Sequence, residues 1–518
     1  MPSEPPEPSA TDPTELGAST GTGQPGRRPL VRGGMVTDPL KDGLQRRLIG
    51  LPEEDDALLP IVVELNLRHA EGLPGAESRF YEVYERATSD GEDRPRPEVI
   101  ANTYVRCDLT IGEVRTLVHL DSHDAGPRQR AIYRVWPDFP VQALTDRSVS
   151  TVKGDAAQRS FAAMGNGATW AVVDSGIDAK HPHFKTYDTL GGDVAQLHKD
   201  FTQPYEPDDP GSVQNALRDG LGHGTHVAGV IAGCMPEKSR RFRVAMHISD
   251  EFGNEAIEDR TIAAGNKLAG VAPQAKLVSL RVFDDDGRSR STSVIKALQY
   301  VREDVNGNGK LLRIQGVNLS LGYEFDARWF ACGQSPLCVE VDRLVRSGVV
   351  VVVAAGNTGY GTLSALERPS RTGLSRTIND PGNAALAITV GATHRDMPHT
   401  YGVSYFSSKG PTGDGRVKPD LVAPGERITS CAAGKALADL YGKKPPEGLA
   451  YYIDDSGTSM AAPHVSGAIA AFLSIRQEFI GRPDEVKRVF AESATSLGRE
   501  RYFEGNGLVD LMRAIQSV

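Results

Sequence analysis

Three side chains far apart in this sequence have types that together could transfer an acyl group. Asp174 follows the apolar run WAVV and precedes Ser-Gly, so its carboxylate stands where an extended segment ends and the chain turns, a place where an orienting acid is held rigidly. Taken alone, the same residue reads as a turn former or helix cap. His223 opens GHGTHVAGVIAG, where flanking glycines permit close backbone approach, and its imidazole can take and return a proton near neutral pH. His223 and His226, three apart, also read as metal ligands, but the glutamate that the HExxH zinc pattern requires does not follow His223. Ser459 lies in SGTSMAAPHVSGAIAAF, on the first turn of an apolar, small-residue helix. It is either a buried cap or a nucleophile whose developing oxyanion the free N–H groups of the helix start would stabilise. Asn357 closes the run VVVVVAAGN as a turn residue or as a further N–H donor at the same sheet edge. A serine hydroxyl alone is a weak nucleophile, so a base and a charge acceptor are both needed.

Holding such groups together takes a rigid frame, and the chain beyond residue 165 has the pattern of one. ATWAVVD, AKLVSLRVF, GVNLSL, VVVVVAAGN and LAITVGA read as strands. Between and after them, GTHVAGVIAG, STSVIKALQYVRED, CVEVDRLVRSG, SMAAPHVSGAIAAFLSIRQ and PDEVKRVFAESA read as helices. Alternation of this kind predicts a parallel sheet with crossover helices, whose ligand crevice lies beyond the C-terminal strand ends.

Taken together, VVDSGID around Asp174, GHGTHVAGVIAG around His223, VNLSLG at 317–322, VVAAGN ending at Asn357 and GTSMAAPHVSG around Ser459 resemble the subtilisin-like serine peptidases, the subtilase family. The order Asp, His, Ser is that of subtilisin. The resemblance covers about 350 residues and implies a three-layer α/β catalytic domain that hydrolyses peptide bonds through an acyl-enzyme. Ser459 would be the nucleophile, His223 the base and then acid, Asp174 the orienting acid, with Asn357 and the Ser459 N–H as oxyanion donors. Protein or peptide substrates would lie between Gly287, Arg288, Ser289, Arg290 and Ser320, Leu321, Gly322. By counting back from ITVGA, Asn379 and Asp380 would floor the primary pocket, a polar floor that suggests tolerance for polar or basic side chains. The same acyl-enzyme would serve a peptide macrocyclase or transpeptidase if an amine replaced water, and a silent peptide-binding scaffold is the third reading.

The chain departs from that family in places. His183 stands in HPH where a calcium-binding Asp is usual, and about residues 235–267 form an insertion where further calcium ligands would come from. The usual calcium site is therefore expected to be absent, no metal ligands are assigned, and no cofactor is required. Asp284–Asp286 and DVNGNG read as solvated turns or as another calcium site. Tyr323 follows SLG where a second glycine is frequent, which would narrow the pocket rim. The insertion could also cover the site.

Residues 1–50 are expected to be a disordered tail and linker rich in Pro, Gly, Ser and Thr. Residues 51–148 read as a small α+β unit with a connector, in the position of an inhibitory prodomain, and 149–518 as the catalytic domain. PIVVELNL, VIANTYVRCDL and RAIYRVWPDFPV read as strands, AESRFYEVYERA and the capped TIGEVRTLVHL as helices, and QALTDRSVSTVKGDAA as a connector whose stretch 143–149 would enter the cleft and be cut. The unit would thus inhibit intramolecularly.

The whole chain of 518 residues is 39% apolar, 24% charged and 6% aromatic, which excludes collagen-like, coiled-coil and wholly disordered classes. With 58 Lys and Arg against 67 Asp and Glu, the net charge of −9 points to neither nucleic acid nor an anionic membrane as partner. No apolar run reaches the roughly 18 residues that span a bilayer. No basic start followed by an apolar core precedes Leu58, so a cytoplasmic location is expected, with unconventional export left open. Among five cysteines, Cys332 and Cys338 could close a small loop or remain thiols.

Overall fold

The computed structural model describes residues 35–48, 51–88, 96–100, 103–123, 126–137, 147–202, 210–235, 242–249, 255–260, 268–326, 331–365, 368–441 and 449–518. It divides into two units, 1–141 and 142–518.

In the first unit, α1 (Asp38–Lys41) and α2 (Gly43–Leu48) precede β1 (Leu59–Leu65), α3 (Gly72–Ala87), β2 (Glu98–Ile100), β3 (Tyr104–Leu109), α4 (Ile111–His123) and β4 (Ile132–Pro137). The sheet order β2-β3-β1-β4, antiparallel throughout, is a split β-α-β arrangement. Alternation drives it: Leu59, Ile61, Val63 and Leu65 of β1 turn inward onto Phe80 of α3 and Leu117 of α4. At the start of α4, Thr110 N donates to Glu113 Oε2 at 2.8 Å and Glu113 N to Thr110 Oγ1 at 3.2 Å, a reciprocal cap. The tail ends earlier than residue 50, because Leu40 and Arg46 are both fully buried and α1 and α2 belong to the fold. Residues 1–34 lie outside the described residues. VIANTYVRCDL is two strands rather than one, paired as β2 and β3.

The second unit begins with α5 (Arg147–Thr151) and α6 (Gly154–Phe161), so most of the expected connector past residue 146 is helical. Then follow β5 (Thr169–Asp174), β6 (Lys199–Asp200), α7 (Pro210–Ala216), α8 (His223–Ile231), β7 (Phe242–Ser249), β8 (Glu255–Arg260), β9 (Lys276–Arg281), α9 (Ser291–Gln299), β10 (Gly316–Leu319), α10 (Pro336–Arg346) and β11 (Val350–Ala354). After a hairpin of β12 (Tyr360–Ala365) and β13 (Arg368–Gly373) come β14 (Ile388–Thr393), α11 (Pro398–Tyr401), β15 (Leu421–Pro424), β16 (Ile428–Cys431), α12 (Gly434–Tyr441), β17 (Ala450–Asp455), α13 (Thr458–Ile475) and α14 (Pro483–Ser493). Seven parallel strands lie in the order β15-β14-β11-β10-β5-β9-β6.

Side-chain alternation splits the interior into two cores, which makes the unit three-layered. Trp170 and Val172 of β5 and Val350 and Val352 of β11 face α8 and α13, while Ala171, Val173, Val351 and Val353 face α9 and α10. By length and composition α13 could cross a bilayer, more than the run SGAIAAFLSI suggests, but 83% of it is buried inside the fold. The insertion is a hairpin: β7 pairs in parallel with β17 and antiparallel with β8, extending a sheet of order β16-β17-β7-β8. All five cysteines are free and buried, so no disulfide joins Cys332 to Cys338.

Candidate active site

Asp174 ends β5 and is 1% exposed. Its Oδ1 accepts from Ser175 N at 2.7 Å and meets His223 Nδ1 at 2.8 Å. A carboxylate only accepts, so Nδ1 carries the hydrogen and Nε2 of the neutral ring keeps its lone pair. The approach of α8 to β5 depends on Gly224, where a Cβ would lie 2.3 Å from Gly176 O and 3.0 Å from Asp174 Cβ. Asp219 draws the helix start inward: Oδ1 accepts from Gly222 N at 2.7 Å and Ser175 Oγ at 2.9 Å, Oδ2 from Thr225 N at 2.8 Å and Thr225 Oγ1 at 2.6 Å. Ser175 Oγ accepts in turn from Gly224 N at 2.9 Å. Burial pulls the His223 pKa down, but the charge and hydrogen bond of Asp174, supported by Asp455 and Asp219, outweigh it and raise the pKa to about 9.

Ser459 sits in the first turn of α13, where backbone N–H groups lack helical partners. Its Oγ donates to Ser320 O at 3.1 Å, not to His223. Asn357 is oriented by its neighbour: Oδ1 accepts from Thr458 N at 2.9 Å and Thr458 Oγ1 at 3.0 Å. A backbone N–H can only donate, so the amide cannot be flipped and Nδ2 faces the other way. A methyl at Gly457 would stand 3.3 Å from that Nδ2 and 3.7 Å from Ser459 N, so both donors border one small volume.

Gly287 closes a turn by donating to Asp284 O at 3.0 Å, Arg288 and Arg290 are exposed beyond it, and Ser289 Oγ is tied to Val282 O at 2.7 Å. Ser320, Leu321 and Gly322 continue β10 past its end. Tyr323 and Asp380 exchange backbone hydrogen bonds of 2.9 Å in both directions, which sets Asn379 and Asp380 alongside that segment.

Residues 165–508 match peptidase family S8, the subtilase family. The chain belongs to the subtilase family. It is 31% identical over 336 residues to pyrolysin of Pyrococcus furiosus, covering 57% of this chain and 21% of that protein. It is 29% identical over 362 residues to serine protease AprX of Bacillus subtilis (69% and 68% of the two chains) and 30% identical over 345 residues to the major intracellular serine protease of the same organism (66% and 80%). The matched region is thus about a fifth of pyrolysin's length.

Within this subtilase several positions singled out in the sequence are held by partners of their own. Asp380 is fully buried, with Oδ1 accepting from Asn383 Nδ2 at 2.8 Å. Its carboxyl stands beside Cys338, whose thiol pKa is pushed up by burial and by Asp380. The Asp380 carboxyl is therefore not exposed at the surface. His183 is buried and edge-on to Tyr452, with Nδ1 3.2 Å from Tyr452 Oη. Asp285 pairs with Arg281 at 2.6 Å and Asp286 with Lys435 at 3.1 Å. Among the described residues no group of three or more His, Cys, Asp or Glu is arranged to hold a metal ion. Sequence reasoning missed Asp219, Thr458 and Asn318. Their signal was faint: Asp219 lies four positions before His223, Thr458 stands inside the GTSMAAPHVSG motif in the shadow of Ser459, and Asn318 is a polar residue inside an apolar strand.

Proposed function

We propose that the chain is a serine endopeptidase in which Ser459 attacks a peptide carbonyl, His223 accepts its proton and passes it to the leaving amine, and Asp174 holds the imidazole tautomer and stabilises imidazolium. The observation that carries this reading is the 2.8 Å pair of Asp174 and His223 at the end of β5, the sheet edge that also bears Asn357. Ser459 Oγ turns from Ser320 O to His223 Nε2 for attack, a bond of the kind that commonly tightens only with substrate bound. The oxyanion then receives hydrogen bonds from Asn357 Nδ2 and Ser459 N, reinforced by the partial positive charge of the α13 N-terminus. Water, activated by His223, releases the acyl group. No step calls for a cofactor.

The substrate strand runs between 287–290 and 320–322. These segments follow β9 and β10, which flank β5 and stand about 10 Å apart at about 4.8 Å per strand, room for one added strand beyond the end of β5. The first unit restrains the enzyme until the chain is cut within 143–149, a stretch whose first residues lie outside the described ones. Its split β-α-β fold, with a core of its own, supports a separable domain.

A fluorophosphonate probe and a peptide panel test the reading. The wild type is expected to be labelled and to hydrolyse peptides, while Ser459→Ala does neither; undiminished hydrolysis by Ser459→Ala would reject it. Product masses separate hydrolysis from cyclisation. An intact N-terminus in both wild type and Ser459→Ala would reject self-processing.

A further inference from the structure

The helix that carries Ser459 has a defect one turn in. In an α-helix the Ser459 carbonyl would accept from the N–H of residue 463, and that residue is Pro463, which has none. The missing donor comes from outside the helix: Ser320 Oγ lies 2.7 Å from Ser459 O. Ser320 Oγ is in turn 2.9 Å from Asn318 Nδ2, and Asn318 Oδ1 is 2.9 Å from Ser466 Oγ. Asn318 and Ser466 are fully buried and Ser320 nearly so.

The directions of these bonds follow from counting hydrogens. A carbonyl only accepts, so the single hydroxyl hydrogen of Ser320 must point at Ser459 O. Ser320 Oγ must then accept from Asn318, which sets Nδ2 on that side and Oδ1 on the other, and Ser466 must donate to it. Each of the three contacts thus has one donor and one acceptor, all running toward the Ser459 carbonyl. The geometry fits the elements: Ser466 is two turns after Ser459 on the same face of α13. Asn318 on β10 and Ser320 just past its end share the face opposite Val317 and Leu319, whose side chains belong to the α9 and α10 core.

We propose that Ser466 and Asn318 are positioning residues for the nucleophile, acting through Ser320 as a buried relay that replaces the N–H Pro463 cannot supply. The inference rests on the peptidase reading of Ser459. Losing a link leaves Ser320 free to turn its hydrogen elsewhere, so the first turn of α13 loses its anchor to β10 and Ser459 Oγ spends less time in line with His223 and the substrate carbonyl. The relay uses the Ser320 side chain, whereas a substrate strand would bond to the backbone of 320–322, so the fault is in the acylation geometry and should appear in kcat more than in KM.

The test uses the full chain with Ser466→Ala, Asn318→Asp and Ser466→Thr. Asn318→Asp keeps the shape but cannot donate to Ser320. The first two are expected to lower kcat and the rate of fluorophosphonate labelling about five- to tenfold, the scale of one hydrogen bond, with KM within about twofold. Ser466→Thr, which keeps the hydroxyl, should stay near wild type. Pro463→Ala restores a backbone donor at 463, so in that background the loss from Ser466→Ala should shrink, a coupling that general destabilisation would not produce. Circular dichroism and a melting curve establish that each variant is folded. Wild-type kcat in folded Ser466→Ala and Asn318→Asp would overturn the relay while leaving the peptidase reading intact. Absence of labelling and hydrolysis in the wild type would overturn both.

Discussion

Asn357 and Thr458 are joined at two points, with Asn357 Oδ1 taking both the N–H and the hydroxyl of Thr458 at 2.9 and 3.0 Å. Thr458 Oγ1 also accepts from Gly356 N at 3.1 Å, so the residue just before Ser459 fixes the residue that ends the AAGN run. The two donors proposed for the oxyanion are thus built as one piece.

Asn357→Leu is accordingly expected to lower kcat by about 100- to 1,000-fold with little change in KM, the range that loss of one oxyanion donor costs in subtilisin. Thr458→Val keeps the shape but removes one of the two holds on the amide, and should cost about tenfold, the scale of one to two hydrogen bonds. Gly457→Ala is the sharper trial. Its backbone is extended, with φ of 165°, so alanine introduces no backbone strain, yet the methyl would stand 3.3 Å from Asn357 Nδ2. A folded protein with strongly reduced kcat is expected, and an unimpaired Gly457→Ala would place the oxyanion elsewhere.

The pH profile should be alkaline. His223 must be neutral to take a proton, and its pKa stands at about 9, so kcat/KM is expected to climb through that region instead of near the usual 6.5. The same shift acts on stability: a folded pKa above the unfolded one contributes fully below about pH 6.5 and is lost as pH rises through about 9. Asp455→Asn, which removes an exposed charge acting on the ring, should move the activity limb to lower pH, whereas Asp174→Asn should abolish most of the turnover by about four orders of magnitude. Initial rates from pH 6 to about 10.5 with one peptide decide the matter.

Acid should unfold the second unit through other histidines. Burial lowers the pKa of His181 and His464 to about 4 and of His183 to about 3. Their folded pKa lies below the unfolded value, so they favour the native state fully above about pH 6.5 and increasingly less as pH falls toward 4. Each such ring contributes a slope approaching 1.4 kcal/mol per pH unit inside that window, about one proton's linkage. Melting temperatures between pH 7 and 4 should drop steeply, and His183→Phe should flatten the fall.

The Asp380 carboxyl is buried against Asn383 and Cys338, so on the proposed pocket assignment no ion pair is expected with the residue before the scissile bond. Peptides varied only at that residue should show Lys and Arg cleaved no faster than Gln or Leu. A tenfold preference for the basic pair would mean that the carboxyl is reached.

Much of this was readable beforehand. The five expected strands and the main helices of the second unit are present because continuous β-branched runs and helical apolar patterns are strong signals. Asp174, His223 and Ser459 fall at a strand end or at helix starts, and Asn357 follows three residues after β11. What escaped was of three kinds. β6 and β15 are too short, at two and four residues, to show periodicity. The hairpin β12–β13 and the β7–β17 pairing join segments whose partnership is settled by tertiary packing. Asp219, Asn318 and Ser466 act through hydrogen bonds to residues 2 to 148 positions away, and a polar residue's type does not announce which partner it will meet.

Fifteen of the residues of α13 are buried, and it meets the β-sheet along most of its length. A helix gripped on every side has no cheap way to slide or roll, since packed interiors resist even small displacements. The hydroxyl proposed to attack is therefore mounted on a tightly held helix, and on that reading adaptation to different substrates falls to the loops beyond the strand ends.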